Sequence, residues 1–94
     1  MSTELKTLAE KHEKEGRFSL SYRLFESVLP NSDGFRAEYS IYASVTNAEN
    51  GEHEEELIRD VTSSKSFAEE IFALVCRGKV TPMALEDVIS DLIG

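Results

Sequence analysis

The strict alternation of apolar and polar side chains over residues 35–46 constrains the fold of this chain more than any other feature. Successive side chains of a β-strand point to opposite faces of the sheet, so a period of two predicts a strand with one buried face. Only Tyr42 interrupts the polar set. A strand must pair with others, so the chain must contain a β-sheet. The apolar positions are Phe35, Ala37, Tyr39, Ile41, Ala43 and Val45.

A second alternating segment, residues 18–28, precedes this strand, and turn-forming residues at positions 30–34 separate the two. The sequence therefore predicts an antiparallel hairpin. The inward residues have even numbers in the first strand and odd numbers in the second, and directly opposed residues share a face. The connecting loop must therefore contain an even number of residues, about four or six. A six-residue loop pairs Tyr22 with Ile41. The inward positions of the first strand are Phe18, Leu20, Tyr22, Leu24 and Val28.

Asn50-Gly51 is the strongest short hairpin signal in the chain, since a type I′ turn requires positive φ at both central positions. It predicts a third strand over about residues 52–61. A two-residue loop turns Ile58 inward and leaves Leu57 and Val61 on the outer face. A three-residue loop with a bulge reverses these orientations. The sequence leaves both alternatives open.

Helical spacing marks the beginning of the chain. An i, i+3, i+4, i+7 pattern between Thr3 and Glu15 predicts an N-terminal helix that ends before Gly16. Its apolar stripe is short, so residues 1–16 either dock on the sheet or form a loosely attached helix. The stripe consists of Leu5, Leu8, Ala9 and His12.

The apolar period changes to 3.6 in the last third of the chain. Ser66 and Glu69 form a capping box, and the apolar stripe that follows ends before Gly78, which predicts one helix. Thr81 and Pro82 supply the N-cap and the first-turn proline of another helix that runs almost to the last residue. The two stripes are Phe67, Ile71, Leu74 and Val75, then Leu85, Val88, Ile89, Leu92 and Ile93.

These elements predict an α+β fold in a single domain over residues 1–94. The expected order is an N-terminal helix, a three-stranded antiparallel β-meander and two C-terminal helices packed on one sheet face (αβββαα). Ninety-four residues support one modest core, because a chain this short buries only about 60–65% of its unfolded surface. The hydrophobic content of 40% is ordinary for a globular protein and argues against wholesale disorder.

The residues that could carry chemistry form no catalytic, cofactor or metal motif. His12 and His53 lack the spacing of metal ligands, and the five glycines occur singly rather than in a phosphate-binding loop. The single Cys76 cannot form an intrachain disulfide, which favours a reducing cytoplasm. The apolar runs are far shorter than the roughly 18 residues of a membrane span. We therefore expect a non-enzymatic, cytoplasmic protein without a cofactor.

The charge of the chain is acidic and unevenly distributed. Eighteen acidic and ten basic side chains give a net charge of −8, of which −1 falls in residues 1–46 and −7 in residues 47–94. Such a chain repels a phosphate backbone, which argues against direct nucleic-acid binding. The acids either protect an exposed edge strand or dock a basic protein surface. The candidate partner-binding residues are Glu49, Glu52, Glu54, Glu55, Glu56, Asp60, Glu86, Asp87 and Asp91.

Large apolar side chains occur where the outer sheet face is expected to be polar. Phe25 and Tyr42 lie there, and Leu57 and Val61 join them if the Asn50-Gly51 loop has two residues. Such a patch indicates either a homodimer interface or a surface that the N-terminal helix covers.

One set of residues carries a family resemblance: Ile58-Arg59-Asp60-Val61-Thr62, Glu70-Ile71, Val80-Thr81-Pro82, Leu85, Asp87-Val88-Ile89 and Asp91, with looser support from Tyr22-Arg23-Leu24 and Tyr39. With these residues, about positions 20–93 resemble a small bacterial domain family of unknown function that is common among clostridial-type Firmicutes. The resemblance implies a bacterial cytoplasmic setting and brings no known activity.

In its element order and acidity the chain is also similar to small phage-encoded inhibitors of CRISPR nucleases, which fill a nucleic-acid channel with acidic surfaces. This likeness has no motif behind it and implies a nucleic-acid mimic by analogy. The first hypothesis is therefore a non-enzymatic interaction module that docks a basic protein, as a regulator or inhibitor of a nucleic-acid-binding protein. The alternative is a structural homodimer that uses the outer sheet face, with the acidic residues serving solubility.

Overall fold

The computed structural model describes residues 5–32 and 34–94. They form one four-stranded antiparallel sheet in the order β1-β2-β3-β4, followed by two helices, so the fold is ββββαα of the α+β class. Each strand pairs with its neighbours in the sequence, which makes the sheet a meander. The elements are β1 Lys6–Glu15, β2 Phe18–Asn31, β3 Gly34–Asn47, β4 His53–Thr62, α1 Lys65–Arg77 and α2 Pro82–Ile93.

The prediction of an N-terminal helix is wrong, because residues 6–15 form strand β1 beside β2. The first residues of that expected helix, 3–4, lie outside the described residues. The predicted αβββαα order is thereby corrected to four strands and two helices. Gly16 and Arg17 form a two-residue turn between β1 and β2, and Gly16 has φ +59°, which glycine adopts without strain.

Pairing with β2 outweighs the helical preference of the Leu, Ala, Glu and Lys residues in this segment. The edge of β2 offers backbone partners, and cross-strand side-chain pairs add further contacts. The Arg23 Nε donates to the Glu10 Oε1 at 2.9 Å. Leu8 lies at a β-bulge and packs against the core. Intrinsic propensity is a weak preference that such tertiary contacts override.

The even spacing expected for the β2–β3 connection is confirmed, but the connection is shorter than the predicted four or six residues. Asn31 pairs with Gly34, so two residues separate the strands. The register places Tyr22 opposite Ala43 instead of Ile41. The apolar sets still share one face, because a shift by two residues preserves the direction of every side chain.

The β3–β4 connection has neither the two-residue nor the three-residue loop predicted at Asn50-Gly51. Four residues, 48–51, separate Asn47 from Glu52, and the Asn47 N–H donates to the Glu52 carbonyl at 2.8 Å. Since the number of connecting residues is even, Ile58 lies on the core side of the sheet.

A β-bulge interrupts β4 near its end. Between the aligned pairs Ile41–Ile58 and Tyr39–Thr62, β3 has one residue and β4 has three. Asp60 adopts φ +54° within this bulge, and its N–H donates to the Ser40 Oγ at 3.1 Å. Val61 also lies within the bulge and packs against the core. This corrects the expectation, attached to a two-residue loop, that Val61 lies on the outer face.

Both predicted C-terminal helices are present, and they pack on one face of the sheet, the inner face. The Ser64 Oγ accepts the Phe67 N–H at 3.3 Å, so the N-cap of α1 lies two residues before the predicted Ser66. Helix α2 begins at Pro82 after Thr81, as the sequence indicates. The buried apolar core is Leu20, Tyr22, Leu24, Tyr39, Ile41, Ala43, Ala68, Ile71, Val75, Cys76, Leu85 and Ile89.

The helices cover the inner face unevenly. Helix α1 contacts β2, β3 and β4, whereas α2 contacts β3 and the edge strand β4. In the connection between the helices, the Val80 carbonyl accepts a hydrogen bond from the Tyr22 hydroxyl at 2.9 Å. The inner face continues past Tyr22 toward the turns at residues 16–17 and 48–51, where Phe18 stays 37% exposed.

Candidate functional site

The acidic residues singled out from the sequence gather at one edge of the sheet. Strand β4 is an edge strand, α2 packs against it, and the turn at residues 48–51 precedes it. Residues 48–62 and 82–93 are called the acidic edge below. All nine predicted partner-binding carboxylates belong to it, and all are exposed: Glu49, Glu52, Glu54, Glu55, Glu56, Asp60, Glu86, Asp87 and Asp91.

The acidic edge carries the whole net charge of the chain. It contains nine acidic side chains and a single basic one, Arg59. The rest of the chain contains nine acidic and nine basic side chains, which cancel. The net charge of −8 is therefore a property of one edge of the molecule rather than of its surface as a whole.

Strand geometry divides the β4 carboxylates between two faces. Glu54 pairs with Val45 and Glu56 pairs with Ala43, so both lie on the inner-face side, which also carries α2. Glu55 lies between them and points to the outer face. The structure thus brings Glu54 and Glu56 to the side of the α2 carboxylates and directs Glu55 away from them.

Ion pairs distinguish the acidic edge from the rest of the molecule. Within residues 5–32 and 34–94, two of its nine carboxylates have an ion-pair partner: Glu49 with Arg17 at 3.3 Å, and Glu55 with His53 at 3.5 Å. The other seven have none in this part of the chain. Like charges this dense repel one another by a few tenths of a kcal/mol, roughly, per close exposed pair.

Glu55 belongs to a hydrogen-bonded group on the outer face. The Tyr42 hydroxyl donates to the Glu55 Oε2 at 2.6 Å, and the His53 Nε2 lies 3.5 Å from the same oxygen. The hydrogen bond from Tyr42, followed by that from His53, lowers the pKa of Glu55. Burial, followed by the hydrogen bond to Glu55, raises the pKa of Tyr42. These two effects keep the carboxylate ionised and the phenol protonated.

Three of the four residues predicted to form an apolar interface meet on the outer face. The rings of Phe25 and Tyr42 contact edge to face, with centroids 6.4 Å apart, and Leu57 lies opposite Tyr42. The Arg23 guanidinium lies 5.9 Å from the Tyr42 ring centroid and covers part of this patch. The described residues place no helix over it, since the segment expected to do so is strand β1. Val61 is not part of the patch, because it packs against the core.

The two histidines, His12 and His53, are exposed, whereas the single cysteine is buried. The described residues contain no group of three or more His, Cys, Asp or Glu side chains that could hold a metal ion. Cys76 is buried, and burial raises the pKa of its thiol, which disfavours the reactive thiolate. Burial also raises the pKa of Tyr22 to about 12. In the same part of the chain, no helix is long and apolar enough to cross a membrane.

An apolar groove that the sequence analysis missed opens on the inner face, beside the turns at residues 16–17 and 48–51. Its main cavity has a volume of about 400 Å³. An adjoining depression of about 130 Å³ shares Phe18, Val45 and Glu54 with it and reaches Asn47 and Glu52. Both together are called the turn-end groove below. The main cavity is lined by Glu15, Phe18, Leu20, Val45, Glu54, Lys79, Thr81 and Met83.

The alternation of the strands could not reveal the turn-end groove. It places Phe18 and Val45 on the inner face, and an inward apolar residue is normally expected in the core. Whether a helix covers the end of the sheet depends on where the connection between α1 and α2 crosses it. That position is fixed by tertiary contacts such as the bond from Tyr22 to Val80.

Comparison with known proteins identifies a family without a described activity. The model of a protein family described as a family of unknown function (DUF6514) matches residues 1–94. The match confirms membership of a family of unknown function, and it covers the whole chain where the sequence resemblance covered about residues 20–93. No curated protein and no solved structure matches this chain.

Proposed function

The chain belongs to the DUF6514 family of unknown function, so its function must be inferred from its own surfaces, and we propose that it is a non-enzymatic module whose acidic edge docks a basic protein surface. The observation that carries the proposal is the confinement of the net charge of −8 to the acidic edge. Seven of the nine carboxylates there lack an ion-pair partner among the described residues.

An unpaired acidic surface is suited to this role for a physical reason. The carboxylates are exposed, so a basic partner reaches them without a rearrangement of the fold. Complementary charge raises the association rate and disfavours partners of the wrong sign. A basic partner also relieves the repulsion that the carboxylates exert on one another in the free protein.

The partner we favour is a protein surface that otherwise holds nucleic acid. Such a surface presents Lys and Arg side chains arranged to neutralise a series of phosphates. Carboxylates on β4 and on α2 provide a comparable series of negative charges on a rigid support. The protein would then act as a regulator or an inhibitor of a nucleic-acid-binding protein.

Charge reversal tests the proposal with a short lysine-rich peptide as the probe. We expect E54K/E56K to weaken peptide binding by about tenfold or more and to flatten its dependence on salt, because the complex loses its charge complementarity. The matched control is E69K/E70K on α1, which changes the net charge by the same amount away from the acidic edge. Equal weakening by the two variants, or no weakening by either, would contradict the proposal.

The outer-face patch supports a second candidate function, a structural homodimer. Phe25, Tyr42 and Leu57 form a contiguous apolar surface over which the described residues place no helix. Sedimentation of the wild type and of F25S/Y42S decides between the two. A wild-type dimer that the double substitution dissociates favours the homodimer, and a monomeric wild type excludes it.

A further inference from the structure

The turn-end groove is an apolar surface that the fold leaves open next to the acidic edge. The Val80 carbonyl accepts a hydrogen bond from Tyr22, and Leu20 in the next row is still buried, so the cover ends at Phe18, the last inward residue of β2. Two large apolar side chains at the groove are consequently exposed to solvent, Phe18 by 37% and Met83 by 82%. Together they give the protein a place where apolar surface can still be removed from water.

The charges around the groove are not balanced. The cation Lys79 pairs with Glu15 within the lining. At the mouth, Glu52 and Glu54 have no ion-pair partner among residues 5–32 and 34–94. The Arg17 guanidinium, which pairs with Glu49, lies 5.3 Å from the Phe18 ring centroid. The groove therefore combines an apolar floor with two carboxylates at its mouth, Glu52 and Glu54, that this cation does not pair with.

We propose that the turn-end groove binds one large apolar side chain that a lysine- or arginine-rich segment of the partner carries. This inference rests on the proposed function, because it places the basic partner of the acidic edge against the adjoining groove. A cavity of about 400 Å³ lies in the size range of sites that bind small organic ligands, so it has room for one such side chain. Anchors of this kind supply most of the affinity of many interfaces, while the surrounding charges supply specificity.

Charge complementarity favours a basic partner over a second copy of this chain. The most exposed aromatic side chain of the protein, Phe35, stands 79% exposed on the β2–β3 hairpin. Its neighbour Arg36 is neutralised by Glu38 at 3.0 Å, so this hairpin brings no free positive charge to the mouth. Two copies that each carry a charge of −8 also repel one another.

Two peptides that differ at one position separate the groove from the acidic edge. Both are short and lysine-rich, and the central residue is Leu in one and Ser in the other. We expect the wild type to bind the Leu peptide about tenfold more tightly than the Ser peptide, because Leu alone buries apolar area in the groove. In M83S this preference should fall below about threefold, while binding of the Ser peptide stays unchanged.

Phe35 provides a matched control, since its exposure of 79% is close to the 82% of Met83. We expect F35S to keep the preference for the Leu peptide. Equal binding of both peptides to the wild type overturns the groove proposal and leaves the proposed function standing. If the wild type binds neither peptide, the proposed function itself is overturned. Loss of the preference in F35S, or a wild-type dimer that M83S dissociates, overturns the groove proposal in favour of another contact.

Discussion

The two edge strands of the sheet, β1 and β4, carry charge in different ways. In β1, three lysines and three glutamates alternate without net charge, and each glutamate has a cationic partner. These pairs are Glu10 with Arg23, Glu13 with Lys11, and Glu15 with Lys79. In β4, four acidic residues accompany a single Arg59, and within the described chain only Glu55 has an ion-pair partner.

This difference distinguishes charge that only protects an edge strand from charge that is available to bind a partner. An exposed edge strand needs charged side chains or a bulge to deter pairing with another chain. Strand β1 carries mutually paired charges and a bulge at Leu8, without an excess of either sign. Strand β4 also has a bulge, at Asp60, that already interrupts its edge. The excess of negative charge on β4 therefore requires another explanation, and docking of a basic surface is the one proposed above.

The two edge strands also differ in how they are attached, and this difference leads to the largest expected effect. Helix α2 packs against β4, so truncation of Ile58 leaves space between two elements that cannot easily close it. Leu8 of β1 also packs against the core, but its strand lies at the edge beside β2 and can adjust. We expect I58A to lower the free energy of unfolding by about 2 kcal/mol and L8A by about 1 kcal/mol, measured by urea denaturation.

Amide hydrogen exchange provides the independent check on this prediction. We expect the β1 amides to exchange faster than the β4 amides, because few contacts besides the β2 ladder hold β1 in place. Equal losses of stability in I58A and L8A, together with equal exchange, would show that the two edges are attached equally firmly.

Strand β1 is also where sequence reasoning fails. Leu5, Leu8, Ala9 and His12 have helical spacing, and Gly16 follows them at the position of a helix stop. In the structure Gly16 occupies the first position of a two-residue turn, the place that glycine takes in a type II′ hairpin. A strongly charged edge strand such as β1 lacks the alternation that marks a half-buried strand, so the apolar pattern could not identify it.

The central hairpin was predictable because both of its strands bury one face. Alternation fixed the direction of every side chain in β2 and β3, and the even number of connecting residues followed from it. The register did not follow, because a shift by two residues leaves the buried face unchanged. For the same reason the sequence could not distinguish the four-residue turn at 48–51 from a two-residue turn.

The candidate site was predictable to the extent that it depends on charge. A count of acids along the chain is sufficient to identify all nine carboxylates of the acidic edge. Their assembly on one edge requires the pairing of β4 with β3 and the packing of α2 against β4. The turn-end groove was not predictable, because it depends on where two helices stop covering the sheet.

The smallest expected effect is a change in the free energy of unfolding whose sign should differ between β4 and β1. Glu56 has no ion-pair partner among the described residues, so E56Q should relieve repulsion and raise the free energy of unfolding by roughly 0.3 kcal/mol at low salt. Glu10 accepts a hydrogen bond from Arg23 at 2.9 Å, so E10Q should lower it by a similar amount. Urea denaturation at low and high salt measures both changes, and screening should shrink both. A loss of stability in E56Q would mean that the β4 carboxylates are already stabilised within the free protein and need no external basic partner.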